Sequence, residues 1–269
     1  MELVKALLLG VIQGATEFLP VSSSGHLVLG SYILGFKEQG IVFGVMLHLG
    51  TLVSVLIVFR KELLAMMYAP FQWLKGQHSE DIKQFLLWDI YVIIATLPAV
   101  VFGLLFKDTI EVLFTSVLLV CLMLLVTGGM MFLSKYVVDR GRPVTGLSAF
   151  LIGCAQACAI VPGLSRSGST IFMGMLLGIN RETVARFSFI MSIPAILGAA
   201  VLNLSDVLND PPQPGDLIIY LAGTVAAAVT GYLAIMLLLD IIKKNRLQWF
   251  GYYCLFVAFS GLMVLYIIN

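Results

Sequence analysis

The sequence predicts an all-α integral membrane protein, an inverted-topology repeat with six transmembrane helices plus two re-entrant helical hairpins. Three observations lead there. Of 269 residues, 60% are hydrophobic and only 12% are charged, about half the charged share of a soluble domain. Six apolar stretches are long enough to cross a bilayer core, which takes about 20 residues per helix. Two further apolar regions are interrupted by polar and helix-breaking residues, and they match one another without gaps at a shift of 143 residues. This composition excludes a water-soluble globular enzyme and a disordered chain. With 16 basic residues against 15 acidic ones, no polycationic face is available for a nucleic acid either.

Taken in chain order, the N-terminus lacks a basic segment followed by a small-residue cleavage site, so it reads as mature protein. Region 3–36 comes first, interrupted by the run from Thr16 to His26, which contains Pro20, Ser22, Ser23, Ser24 and Gly25. Spans are expected at 41–59, 86–106 and 112–134. Region 147–179 follows, interrupted by the run from Val161 to Thr170, which contains Pro162, Gly163, Ser165 and Gly168. The remaining spans are 183–203, 216–239 and 248–268. In each interrupted region proline, glycine and serine break the helix and leave two apolar arms too short to span. Irregular backbone at membrane depth requires protein or a watery cavity to satisfy it.

The shift pairs Gly10 with Gly153, Gln13 with Gln156, Ser22 with Ser165, Ser24 with Ser167, Gly25 with Gly168, and Leu34-Gly35 with Leu177-Gly178. Several of these are polar or glycine positions, which general hydrophobicity does not explain. Each half, 1–140 and 141–269 of one membrane domain, then holds a hairpin and three spans. Three is odd, so the second half enters from the opposite face, and the broken elements meet near the midplane. Loop charges test the arrangement. With six spans, twelve Lys and Arg residues between Arg60 and Arg246 fall on one side, and only Lys5, Lys37 and Lys107 on the other. Counting the interrupted regions as full spans gives eight against seven, which is no bias. Basic residues favour the cytoplasmic side, so both termini are expected outside.

Ionisable groups at membrane depth default to function. The first tip offers Gln13, Glu17, Ser22, Ser23, Ser24 and His26. Gln13 and Glu17 share a helix face and suit a hard divalent cation, Mg²⁺ or Ca²⁺, with substrate phosphates supplying further ligands. A serine close before His26 is a candidate nucleophile–base pair. The blander reading makes the serines caps and gives His26 a backbone carbonyl. The second tip offers Ser165, Arg166, Ser167, Ser169 and Thr170. A helix starting there points free N–H groups into the cavity, and Arg166 adds a planar fork, so the set reads as a phosphate cradle. Alternatively, Arg166 neutralises Glu17. His48 reads as a core histidine, His78 as a solvated loop residue, and Cys121, Cys154, Cys158 and Cys254 as buried hydrophobes without disulfides.

Gln13-x-x-x-Glu17 with the following Phe18 to His26 resembles the first signature, (E/Q)-x-x-x-E, of the BacA-type undecaprenyl-diphosphate phosphatases. Pro162-Gly163-Leu164-Ser165-Arg166-Ser167-Gly168-Ser169-Thr170 is similar to the second, P-G-x-S-R-S-x-x-T. The resemblance covers nearly the whole chain. It implies a multi-pass enzyme of the bacterial plasma membrane, its site open to the outer face. Such an enzyme converts undecaprenyl diphosphate to undecaprenyl phosphate plus inorganic phosphate for peptidoglycan synthesis, and it is linked to bacitracin resistance. Glu17 and Gln13 would hold the metal, and Ser23 or His26 would be the nucleophile with the other assisting. Arg166 would grip the phosphates, with Ser165, Ser167 and Thr170 donating to them. Many relatives carry glutamate where Gln13 stands. Lys135 to Arg142-Pro143 fits the K-x6-R-P element of the type-two phosphatidic-acid phosphatases, but the order of elements is wrong and Phe172 stands where the last histidine belongs. The rival class is a transporter or flippase of a polyprenyl phosphate lipid, since inverted repeats with broken helices are common in transporters. The sequence sets no oligomeric state and leaves a homodimer open.

Overall fold

Helix breaking at the two polar runs organises the molecule. The computed structural model describes residues 2–34, 41–203 and 215–268. Lys37, Gly35 and the end of the first interrupted region lie outside the described residues, as do both terminal residues of the expected domain. Region 3–36 forms α1 (Glu2–Phe18) and α2 (Ser23–Leu34), and region 147–179 forms α8 (Gly146–Cys158) and α9 (Arg166–Leu176). Each pair is one helix interrupted by a break; α2, α8 and α9 are short as expected, at 12, 13 and 11 residues, whereas α1 runs to 17.

Helices stand at each stretch where a span is expected: α3 (Ile41–Val58), α5 (Glu80–Leu105), α7 (Val117–Leu133), α10 (Arg181–Leu202), α11 (Asp216–Lys243) and α12 (Gln248–Ile268). Among the described residues, five helices are long and apolar enough to cross a membrane, and six if α3 and the helix after it form one bent span. The chain is thus an all-helical, multi-pass membrane protein. That following helix, α4 (Arg60–Leu74), is a difference from the sequence reading, which places no helix between the spans 41–59 and 86–106. It turns 77° away from α3. Leu64, Met67, Tyr68, Phe71 and Leu74 are exposed on it at helical spacing, while Arg60, Lys61 and Glu62 open its first turn. An exposed apolar stripe beside a charged first turn is the pattern of an interfacial helix. A second difference is short α6 (Lys107–Leu113). The turn at Phe114-Thr115 and the N-cap of Ser116, whose side chain accepts from the Leu119 N–H, delay α7 beyond the expected start at 112.

Packing crosses between the two halves. Helix α1 lies along α11, and α8 along α5. Both approaches are close because a glycine faces a backbone carbonyl. Gly10 sits against the Gly223 oxygen and Gly153, its counterpart at the 143-residue shift, against the Ala95 oxygen. A side chain at either glycine would push the helices apart. Helix α10 is the most enclosed of the spans, and its Phe189 packs on Phe18 and Phe59, with ring centroids 5.7 and 5.8 Å apart. Through Phe18, which follows Glu17 at the end of α1, this aromatic cluster adjoins the first tip.

Candidate active site

The tips are built alike. Ser22 caps α2 by accepting from the Gly25 N–H at 3.3 Å, and Ser165 caps α9 by accepting from the Gly168 N–H at 3.1 Å. In each, the capping hydroxyl meets the hydroxyl two residues on at 3.2 Å, Ser22 with Ser24 and Ser165 with Ser167. The tips also touch reciprocally. Gly25 lies against Gly163, and Gly168 against Pro20. Each tip carbonyl is then held by a long helix: Thr127 of α7 donates to the Gly163 oxygen at 3.0 Å, and the Cys254 thiol of α12 points to the Pro20 oxygen at 3.7 Å. Thr127 Oγ1 also accepts from the Ser165 N–H. Neither clamp is legible in the sequence, because Thr127 and Cys254 sit in otherwise apolar helices. Ser22 adopts φ +68° and Gly163 φ +91°; the first is an unfavoured conformation for a residue with a Cβ, held here by the packed tips.

Glu17 lies in the last turn of α1 at the junction, with a side chain only 4% exposed. Its Oε1 accepts from Arg166 Nη2, so the two tips are joined by an ion pair. Its Oε2 accepts from Gln13 Nε2 at 2.8 Å and from the Ser23 hydroxyl at 2.7 Å. Ser23 therefore faces Glu17, whereas the sequence pairs it with His26. His26 instead places Nδ1 2.9 Å from the Ser22 carbonyl oxygen and Nε2 2.8 Å from the Tyr253 hydroxyl, with the two rings stacked. A carbonyl only accepts, so Nδ1 donates, and in the neutral ring Nε2 accepts from Tyr253. Tyr253 is a site neighbour that sequence reasoning passes over, because an aromatic residue near a helix start reads as membrane-interface decoration.

His48 is the larger omission. Its Nδ1 lies 2.9 Å from Gln13 Nε2 and 3.5 Å from Glu17 Oε2, and its side chain is 41% exposed. The expectation of a hydrogen-bonded core histidine holds for the hydrogen bond, to Gln13, and is corrected for the burial: α3 brings the part-exposed ring to the Gln13–Glu17 face. The signal available in the sequence was a lone imidazole at membrane depth.

At the second tip, Arg166 is 20% exposed and reaches over the carboxylate. Ser165 and Ser167 are buried, and Ser167 Oγ donates to the Leu19 carbonyl at 3.1 Å across the tips. Thr170 is buried too, its Oγ1 engaged with the Arg166 and Ser167 carbonyls and with Ser188 Oγ. These three hydroxyls thus organise the tip, while Arg166, Ser23, His26 and His48 keep part of their surface open. For a divalent cation, no cluster of three His, Cys, Asp or Glu exists among the described residues. Gln13 Oε1, however, is a buried acceptor without a hydrogen-bond partner, beside the Glu17 carboxylate. Hard oxygen donors of this kind fit Mg²⁺ or Ca²⁺ when substrate oxygens complete the set.

The family model described as bacitracin resistance protein BacA matches residues 6–260. A protein named undecaprenyl-diphosphatase from Methanobrevibacter smithii is 42% identical, with 96% of each chain covered. One of the same name from Carboxydothermus hydrogenoformans is 42% identical over 94% of each chain. Another from Bacteroides fragilis is 40% identical over 98% of each.

Proposed function

The chain belongs to the bacitracin resistance protein BacA family, and from that premise we propose that it is an undecaprenyl-diphosphatase. It is a membrane hydrolase that converts undecaprenyl diphosphate to undecaprenyl phosphate and inorganic phosphate, sustaining cell-wall synthesis and bacitracin resistance. The observation that carries the chemistry is Glu17, which holds the Ser23 hydroxyl on one oxygen and Arg166 on the other.

In this reading Ser23 Oγ attacks the terminal phosphorus, and its proton leaves along the existing bond to Glu17. The bond from phosphorus to the bridging oxygen breaks, releasing undecaprenyl phosphate and leaving phosphoserine. Water then attacks that phosphorus, His26 Nε2 exchanging its Tyr253 partner for the water and taking the water's proton, while Glu17 returns its proton to the departing Ser23 oxygen; inorganic phosphate and Ser23 are freed. Arg166 turns from Glu17 to the phosphoryl oxygens, where charge spreads in the transition state. Ser165, Ser167 and Thr170 hold the tip that presents it. A bound Mg²⁺ or Ca²⁺, held by Glu17 and Gln13, would supply further positive charge against the diphosphate.

The architecture is an inverted-topology repeat of six spans and two re-entrant hairpins in one membrane domain. The matched caps and reciprocal tip contacts support it. Both termini lie outside, the site opens to the outer face, and the prenyl tail stays in lipid.

The test is phosphate release from undecaprenyl diphosphate by the purified full chain. Wild type turns over, and Ser23→Ala, Glu17→Ala and Arg166→Ala each lose on the order of 10² or more in rate. Phosphate trapped on Ser23 identifies the nucleophile. Undiminished turnover in Glu17→Ala or Arg166→Ala overturns the reading, and movement of lipid without phosphate release would favour the flippase.

A further inference from the structure

We infer that His48 is the third protein ligand of the cation, completing with Glu17 and Gln13 one face of its coordination shell. This deepens the phosphatase reading and rests on it. Three atoms converge: Glu17 Oε2, the near amide atom of Gln13 and His48 Nδ1, separated by 2.8, 2.9 and 3.5 Å. An octahedron with ligands at 2.0–2.1 Å has edges of about 3 Å, so the triangle has the size of one octahedral face.

The hydrogen bonds say which atoms carry lone pairs into that triangle. Gln13 Nε2 only donates, so the nitrogen it meets on His48 is unprotonated, the state a metal ligand requires. Glu17 Oε2 brings a second lone pair to the same point, 3.5 Å away. Between these two electron-rich atoms sits the amide N–H, and the Ser23 hydroxyl also donates to Glu17 Oε2. Meanwhile Gln13 Oε1 is buried and unpartnered. A half-turn of the amide exchanges its oxygen and nitrogen, which are nearly alike in size, and puts Oε1 on the face. The donor set is then carboxylate, amide oxygen and imidazole.

The helices fix this face before any cation arrives. Gln13 and Glu17 are one turn apart on α1, and α3 packs against α1. At the 143-residue shift, Ile160 stands for Glu17 and Met191 for His48, so the opposite half offers no such set. A nitrogen ligand also has a consequence for metal choice. Imidazole suits Mn²⁺ and later transition ions, whereas Ca²⁺ takes oxygen ligands. The site therefore ranks Mn²⁺ above Ca²⁺.

The experiment uses the full chain in nanodiscs with Mn²⁺ as the only added metal, read by pulsed electron paramagnetic resonance and by titration calorimetry. Wild type shows a ¹⁴N coupling from a directly bound imidazole. His48→Ala and the bulkier His48→Asn lose that coupling, with Mn²⁺ affinity down on the order of tenfold or more. Gln13→Glu binds Mn²⁺ more tightly and keeps the coupling. Absence of nitrogen coupling in wild type, or its persistence in His48→Ala while Glu17→Ala releases the metal, overturns the inference. Phosphate release from undecaprenyl diphosphate is measured on the same samples. Intact release without nitrogen coupling removes His48 from the metal and leaves the phosphatase standing; coupling without release does the reverse.

Discussion

Both oxygens of Glu17 are occupied, and that saturation allows a carboxylate to sit 4% exposed inside an apolar fold. Breaking a buried ion pair strands the remaining charge, at about 3–5 kcal/mol. Arg166→Ala should therefore lower unfolding stability by about that much, and adding Glu17→Gln should recover most of it while activity stays lost; thermal unfolding in detergent beside a phosphate-release assay checks both arms. At Tyr253, removing one hydroxyl leaves the His26 ring stacked but without its donor. Tyr253→Phe should slow turnover roughly tenfold, a partial loss compared with that of removing a general base outright, with kcat falling and KM steady. Glu17 and Arg166 were legible in the sequence because a charge at membrane depth advertises itself. His48 was not, because its neighbours Leu47 and Leu49 give it an ordinary apolar context and its partners arrive through folding from α1. Ser23 and His26 bond elsewhere for a local reason: His26 lies four residues after Ser22, which puts Nδ1 on the Ser22 carbonyl, while Ser23 turns to Glu17.

Helices α7 and α12 act as clamps on the two tips, and their bonds are single and specific. Thr127→Val removes the donor to the Gly163 carbonyl and the acceptor for the Ser165 N–H, leaving both buried groups unpaired. A cost of roughly 1–3 kcal/mol per group follows, so Thr127→Val should melt lower and lose activity, while Thr127→Ser keeps both; differential thermal unfolding of the pair decides it. Close helix approach gives a second prediction. Gly10→Leu and Gly153→Leu must each displace a carbonyl of the neighbouring helix, and both should fail to yield stable protein, as judged by size-exclusion profile. At this scale the long spans were readable from hydropathy, as were the two breaks. Helix α4 was not, since Arg60, Lys61 and Glu62 make its start resemble a loop, and its apolar stripe is too short and too interrupted to count as a span.

For the whole molecule, twelve basic residues on one side against three on the other give an orientation that can be labelled. With the four native cysteines replaced, Lys107→Cys should react with an impermeant maleimide in intact cells, and Lys243→Cys only after permeabilisation. The opposite pattern would invert the proposed topology. The same arrangement brings acid and base to one point from different halves: Glu17 lies in the last turn of α1, and Arg166 begins α9. The repeat has diverged at its chemistry, with Arg166 at the position matching Ser23 and Ser169 at the position matching His26, while the caps Ser22 and Ser165 remain.

The crossed packing, with α1 on α11 and α8 on α5, also governs how the protein is made. Helix α1 leaves the ribosome first, yet the Gly223 backbone it must seat against is translated roughly 200 residues later, about 10–40 s at ordinary elongation rates. Through that interval the Gly10 groove faces lipid or an insertion factor. The first half expressed alone would stay in that unfinished state, and two separately encoded halves could reach the native fold only by finding each other in the membrane.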